Sequence, residues 1–280
     1  MHLHRWITGL IAAPLLILLI MAGDMLFTLF VAIAAIVAIW EYNRIVFHVT
    51  PPFQSDDTSN TLVDQKPPRY YAAEYGFAAL TVLAAGTGAP EWVIFSVFAG
   101  LIGIGFLSLF RFKNDPNVSK TLAGQIQGMV YIALPLALIV LIRHGDAGRF
   151  WIIALLIIIF AGDTAAYYTG TYFGKRKLCP WVSPKKTIEG ALGGLAANFV
   201  VGFILKLFFL PQVGWMAMLA MCILLGAVGQ VGDLFESVLK RTANIKDSGN
   251  ILPGHGGILD RIDALLFAAP VAWIFISKVF

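Results

Sequence analysis

Charge is scarce in this chain. Of its 280 residues, 13% are Asp, Glu, Lys or Arg, about half of the roughly 25% usual in soluble domains. Hydrophobic residues make up 59% and mean hydropathy is +0.80. So little polar material cannot cover the surface of a water-soluble fold, and the same numbers exclude a disordered chain. Cysteine is almost missing. Cys179 sits in a basic segment and Cys222 in an apolar run, so a disulfide is not expected, and no Cys/His spacing suited to a metal is present. Strict apolar/polar alternation, the mark of a membrane barrel, is lacking too. What remains is a helical integral membrane protein, in which a charge away from the membrane surface needs a reason.

Long apolar runs are what the chain has instead. Nine segments approach the ~20 residues that a span requires: about 6–22, 25–43, 73–89, 92–110, 124–142, 150–172, 188–210, 213–235 and 259–279. The stretch from Trp6 to Met21 follows Arg5 without a clean small-x-small cleavage site, so it reads as an uncleaved first span. Only Gly23 and Asp24 separate the first two segments, which predicts a tight hairpin. Gly86, Gly88 and Pro90 interrupt the third, which predicts a short or kinked helix. The expected fold is all-α: a polytopic membrane bundle of about nine transmembrane helices.

Orientation follows from the cations. With the N-terminus in the cytoplasm, 16 of the 20 Lys and Arg residues fall on the cytoplasmic side and three outside, Lys206 lying within a span. That asymmetry is a strong positive-inside signal. It also accounts for the net charge of +4 without invoking nucleic acid. The segment 48–72, rich in Pro, Asp and Ser, reads as a polar connection. Residues 1–145 form an N-terminal region of about five spans, and 146–280 a C-terminal region carrying the charged motifs, within one membrane unit. No internal repeat is evident.

Between Asp163 and Asp263 lie 17 of the 36 charged residues. Asp163 follows the apolar run Ile157 to Phe160, where a carboxylate is either a functional group or an interhelical tie. Gly170-x-x-x-Gly174-Lys175 lacks the spacing, the Ser or Thr and the strand context of a phosphate loop, so close helix packing is its better use. Next comes Ser183-Pro-Lys185-Lys186-Thr187-Ile-Glu189-Gly190. Thr187 or Ser183 can cap the following helix, with Glu189 in its first turn. Lys185 and Lys186 at that helix start suit a phosphate, or serve as ordinary membrane anchors.

The densest segment runs from Gly232 to Asp263. Asp233 and Ser237, and Glu236 and Lys240, are i,i+4 pairs that share helix faces. Arg241, Lys246 and Asp247 follow, then Pro253-Gly-His255-Gly-Gly257, then Asp260-Arg261-Ile-Asp263 opening the last helix. Asp260 and Asp263 share a face at a helix N-terminus, where negative charge is favoured and a hard cation can be held. Oxygen-only ligands point to Mg²⁺, with room for a second cation, and a lone His255 argues against zinc. His255 fits better as a hydrogen-bond partner of a phosphate or of the loop than as a metal ligand.

The 27-residue run Ser237-x-x-Lys240-Arg241-x-x-x-x-Lys246-Asp247-x-Gly-x-x-Leu-Pro-x-His255-Gly-Gly-x-x-Asp260-Arg261-x-Asp263 resembles the signature of the CDP-diacylglycerol synthases, also called phosphatidate cytidylyltransferases. Ser183 to Gly190 and Asp163 to Lys175 resemble the family's other characteristic stretches. The specific likeness covers about 160–265. It implies a membrane enzyme of phospholipid biosynthesis, in the bacterial inner membrane with its site facing the cytoplasm. Such an enzyme joins CTP to phosphatidic acid, releasing pyrophosphate. On this reading Asp233, Asp260 and Asp263 are the metal ligands. Lys240, Arg241, Lys246 and His255 contact the nucleotide, and Lys185 and Lys186 hold a phosphate from the other side. Asp163, Ser237, Asp247 and Arg261 complete the candidate catalytic set. A transporter of a phosphorylated solute is the alternative, though its charges should gather at the midplane of two related halves. Gly190-x-x-x-Gly194 and Gly226-x-x-Gly229-x-x-Gly232 suit intrachain packing or a homodimer equally.

Overall fold

A computed structural model of the chain describes residues 14–47, 71–113, 117–251 and 256–279. Helix α1 is described over 14–21. It is followed by α2 (Asp24–Phe47), α3 (Tyr71–Ala85), α4 (Pro90–Arg111), α5 (Val118–Gly128), a π-helical turn (Met129–Ala133), α6 (Leu134–His144) and α7 (Gly148–Phe173). A short hairpin, β1 (Lys177–Cys179) and β2 (Ser183–Thr187), leads into α8 (Ile188–Phe208), α9 (Trp215–Thr242) and α10 (Leu259–Ile274), which ends in a second π turn (Phe275–Val279). Among the described residues, seven helical stretches are long and apolar enough to cross a membrane. This is a polytopic helical membrane protein. Residues 6–13 of the expected first span and most of the polar segment 48–72 lie outside the described residues.

Local sequence explains several boundaries. The hairpin expected at Gly23 and Asp24 is there, with α2 starting at Asp24. Helix α3 stops at Ala85 and α4 begins at Pro90, a residue suited to a first turn because its missing N–H would be unpaired anyway. At 15 residues, α3 spans roughly 22 Å, short of the ~30 Å hydrocarbon core. Helices α5 and α6 run through the π turn as one 27-residue span. Lys206, the cation within a span, donates to the Pro211 carbonyl and lies over the Trp215 ring, which satisfies its charge as the α8 helix ends.

The small hairpin is a departure from the all-helical expectation. Lys177 pairs with Thr187 and Cys179 with Ser183 in antiparallel register. Thr187 then caps α8, its hydroxyl accepting the Gly190 N–H at 3.1 Å. Glu189 in the first turn of α8 accepts the backbone N–H groups of Lys175 and Arg176 at 3.0 and 3.1 Å. Five cations in twelve residues are thus held on a folded element rather than on a loose loop.

Packing divides into α7–α8–α9–α10 and α2–α6, with α6 and α10 in contact between them. Glycines set the closest crossings. Gly170 of α7 meets Gly190 of α8, and a Cβ at Gly232 of α9 would strike the Asp263 carbonyl of α10. Small residues let backbones approach where lipid supplies no hydrophobic drive to associate. At the opposite end of the bundle, buried Arg143 donates to the Ile20 and Ala22 carbonyls at 3.0 and 2.9 Å and pairs with Asp24 at 2.7 Å. It closes the α1–α2 hairpin against α6. Arg143→Ala should therefore cost about 3 kcal/mol. The expected observation is a fall of several degrees in the thermal unfolding midpoint of the detergent-solubilised protein; an unchanged midpoint would refute the clasp.

Candidate active site

Asp163, Lys186, Asp233, Lys240, Arg241, Asp260 and Asp263 lie where the hairpin, α7, α9 and the start of α10 meet. They form two groups of different character.

The first group is closed. Lys240 is nearly buried and pairs with Glu236, one turn earlier on α9, and with Asp260 of α10 at 2.7 Å. The i,i+4 spacing anticipated the Glu236 pair. Asp260 has both oxygens occupied. Oδ1 takes the Lys240 ammonium, while Oδ2 accepts Ser248 N–H at 2.9 Å, Ser248 Oγ–H at 2.9 Å and Gly257 N–H at 2.8 Å. Glu236 is fully buried and its Oε1 has no hydrogen-bond partner among the described residues. A buried ion pair stands only when its remaining lone pairs are mostly satisfied, and here the backbone of the glycine-rich loop satisfies those of Asp260.

The second group is open and short of positive charge. Asp163 of α7, Asp233 of α9 and Asp263 of α10 feel one another's charge. Lys186 of β2 faces them, pairing with Asp233 at 2.5 Å. Asp263 is buried, and its Oδ1 accepts the Ala264 N–H at 2.7 Å. The close α9–α10 crossing at Gly232 is what brings Asp233 and Asp263 together. Counting both groups, five carboxylates face two ammonium groups.

Among the described residues, no three His, Cys, Asp or Glu side chains already stand in position to ligate one ion. Asp260 is turned to Lys240 and the loop, and Asp233 to Lys186. The donor set is nonetheless all oxygen and carries surplus negative charge, which is what a hard divalent cation requires.

The other expected residues are placed as follows. Arg241 donates Nε–H to the Val182 carbonyl and Nη1–H to the Ile245 carbonyl, both at 3.2 Å, and so clips the hairpin to the end of α9. Lys185, Lys246 and Asp247 are exposed, and Ser237 is buried within α9. Arg261 is exposed on the first turn of α10. His255 lies outside the described residues.

Two features escaped the sequence reading. Glu41, inside the apolar α2, is fully buried and reaches the loop: Oε1 accepts Ile258 N–H at 3.1 Å, and Oε2 accepts Leu259 N–H at 2.8 Å and Ser248 Oγ–H at 3.2 Å. The only signal available was a carboxylate placed within a span, the same signal that singled out Asp163. The second is an apolar groove of about 330 Å³ between α5–α6 and α9–α10, lined by Val130, Tyr131, Pro135, Phe235, Phe267 and Pro270 among others. The π turn and two prolines interrupt regular packing there. Tyr131 stacks edge-on against Phe235 and Phe267, its hydroxyl buried without a partner among the described residues. Phe267 also backs Gly232, so the groove runs up to the carboxylates.

A closed group predicts a sharp energetic asymmetry. Lys240→Met leaves Glu236 and Asp260 buried without their cation and should destabilise the protein by about 3–5 kcal/mol. Adding Glu236→Gln removes one of the stranded charges and should recover part of that loss. Thermal unfolding of the two variants in detergent checks this; a double variant no more stable than the single one would count against the network.

The description of the cytidylyltransferase family matches residues 3–279. The chain is 30% identical over 270 residues to a phosphatidate cytidylyltransferase of Staphylococcus epidermidis, an alignment spanning 95% of this chain and 96% of that protein. The corresponding protein of Staphylococcus aureus is 29% identical over the same share of each chain. A phosphatidate cytidylyltransferase of Bacillus subtilis is 41% identical over 149 residues, 53% of this chain and 55% of that protein.

Proposed function

The chain belongs to the cytidylyltransferase family, and from that premise we propose that it condenses CTP with phosphatidic acid to give CDP-diacylglycerol and pyrophosphate. It is a CTP-dependent nucleotidyltransferase of the membrane. The observation that carries the reading from the structural side is the open carboxylate group, Asp163, Asp233 and Asp263, bordered by the lysines of a folded hairpin and backed by an apolar groove. A lipid phosphate needs cations and a hard metal at its head and an apolar slot for its tails.

In the reaction, an oxygen of the phosphatidate phosphate attacks the α-phosphorus of CTP in line. A new P–O–P bond forms as the bond to the β-phosphate breaks, and pyrophosphate leaves. The nucleophile is already an anion, so no strong general base is required, and catalysis rests on positioning and charge neutralisation. Asp233 and Asp263, joined by Asp260 through its Lys240-bound oxygen, would hold a divalent cation, for which Mg²⁺ is the proposed ion. When bound, such an ion supplies charge neutralisation on the reacting phosphates. Lys186, with the exposed Lys185 and Lys246, binds phosphate oxygens. Lys186 gives up Asp233 to do so. Lys240 and Arg241 keep the carboxylates and the hairpin in place, and an acyl chain lies against Phe235, Phe267 and Tyr131. The site faces the cytoplasm, where CTP is, in agreement with the asymmetry of Lys and Arg, and the membrane is the bacterial inner membrane.

Purified protein in detergent should convert labelled CTP and phosphatidate to a lipid nucleotide, lose that activity in EDTA and regain it with Mg²⁺. Asp233→Asn and Asp263→Asn should each lower turnover by at least ~100-fold, the scale on which removing a metal ligand or charge-stabilising group acts, while inserting normally in membranes. Full turnover in both variants, or turnover indifferent to EDTA, would refute the cation assignment.

A further inference from the structure

Helix α10 carries Asp260 in its first turn and Asp263 one turn later, yet it has no cap of its own. Ile258 stands at the capping position and offers no side-chain acceptor. The first N–H groups of a helix need a partner, and a carboxylate there is favoured by both hydrogen bonding and the helix dipole. That carboxylate arrives from α2, more than two hundred residues earlier. Glu41 takes the N–H of Ile258 on one oxygen and that of Leu259 on the other. Its Oε2 also lies within reach of the Ser248 hydroxyl, which has a single proton to share between Glu41 and Asp260.

The loop is shaped to admit this group. A Cβ at Gly249 or Gly257 would collide with the Glu41 carboxylate, so glycine at both positions lets the backbone close around it. Helix α2 is itself held firmly at this level. Tyr42 OH donates to the Gly124 carbonyl at 3.1 Å, and Asn43 Nδ2 donates to Glu74 at 2.8 Å. Three successive residues therefore tie the end of α2 to three different parts of the bundle: Glu41 to the loop and α10, Tyr42 to α5, Asn43 to α3.

We propose that Glu41 is a positioning residue for the reaction, a cap supplied to α10 by α2 that sets where Asp260 and Asp263 stand relative to Asp233. The inference rests on the active-site reading given above. It makes the N-terminal half part of the catalytic apparatus without touching substrate. A carboxylate that only glued α2 to the loop would change the amount of folded protein; one that places metal-binding carboxylates also changes turnover and the cation requirement per folded molecule.

Glu41→Gln is the nearest isostere, but its amide group sets a donor against a backbone donor. In the folded, detergent-solubilised variant, kcat should fall by about 10- to 100-fold, the usual effect of disturbing a group that orients metal ligands. The Mg²⁺ concentration for half-maximal rate should rise by a similar factor. Glu41→Asp, which keeps the charge but withdraws it by one methylene, should recover part of the loss. Hydrogen exchange followed by mass spectrometry gives a readout independent of activity: amides at 256–262 should exchange faster in Glu41→Gln, with the later turns of α10 unchanged. Unaltered exchange there overturns the cap. Faster exchange with wild-type kcat and Mg²⁺ dependence overturns the positioning role. Should the wild-type protein itself fail to form a lipid nucleotide, the functional reading falls while the exchange result still decides the cap.

Discussion

The architecture of the site depends on the four hydrogen-bond donors gathered around Asp260. One is an ammonium from α9; three come from the loop between α9 and α10. A carboxylate at the edge of a membrane cannot stay ionised unless its lost hydration is replaced. Here the replacement joins two helices and the connection between them, so the chain satisfies the carboxylate and fixes the α9–α10 geometry in one arrangement. The neighbouring carboxylates inherit their positions from it. Asp263 is one turn further along the same helix, and Asp233 faces it because Gly232 lets the two backbones approach.

That arrangement separates two uses of charge within a few residues. Lys240 is paired on both sides, with Glu236 and with Asp260, and Asp260 has both oxygens occupied. Among the described residues, the ion pair made by Asp163, Asp233 and Asp263 is that of Lys186 with Asp233. On the proposed reaction this division has a use, since groups that exchange partners during turnover need neighbours that do not. Arg241 falls on the static side, with both its contacts to backbone carbonyls, although its place in the motif beside Lys240 groups it with phosphate-binding cations.

Much of the fold was legible in the sequence because the membrane imposes a coarse rule. Apolar runs of span length become helices, and Gly86, Gly88 and Pro90 mark where α3 must end. The contents of the site were legible for the complementary reason: where charge is expensive, Asp163, Asp233 and Asp263 stand out singly, and the i,i+4 spacing of Glu236 and Lys240 already implies a pair. What could not be read was who meets whom across the bundle. Helical spacing shows that Asp260 and Asp263 share a face, but not that Lys240 and Ser248 occupy the first of them. The β1–β2 hairpin was missed because its strands are too short and too charged to show alternation. The π turn was missed because it interrupts a run that looks continuously helical.

Glu41 shows most clearly why such readings run out. Its local context is an apolar helix, and the partner that i,i+3 spacing offers, Arg44, lies over the Trp40 ring instead. Its meaning comes from a helix start that lacks a cap, and that deficiency is itself invisible until α10 is seen to begin at Leu259. Two separate oddities, a carboxylate in a span and an uncapped helix, explain each other only in three dimensions. The glycines at 249 and 257 belong to the same solution. In a Gly-rich motif they suggest close approach of a ligand backbone or phosphate, whereas here the group they admit is a carboxylate of the protein's own. Part of what makes the motif glycine-rich is thus the need to fit around a side chain from the other half of the chain, so the loop between α9 and α10 is packed against α2 rather than standing apart from it.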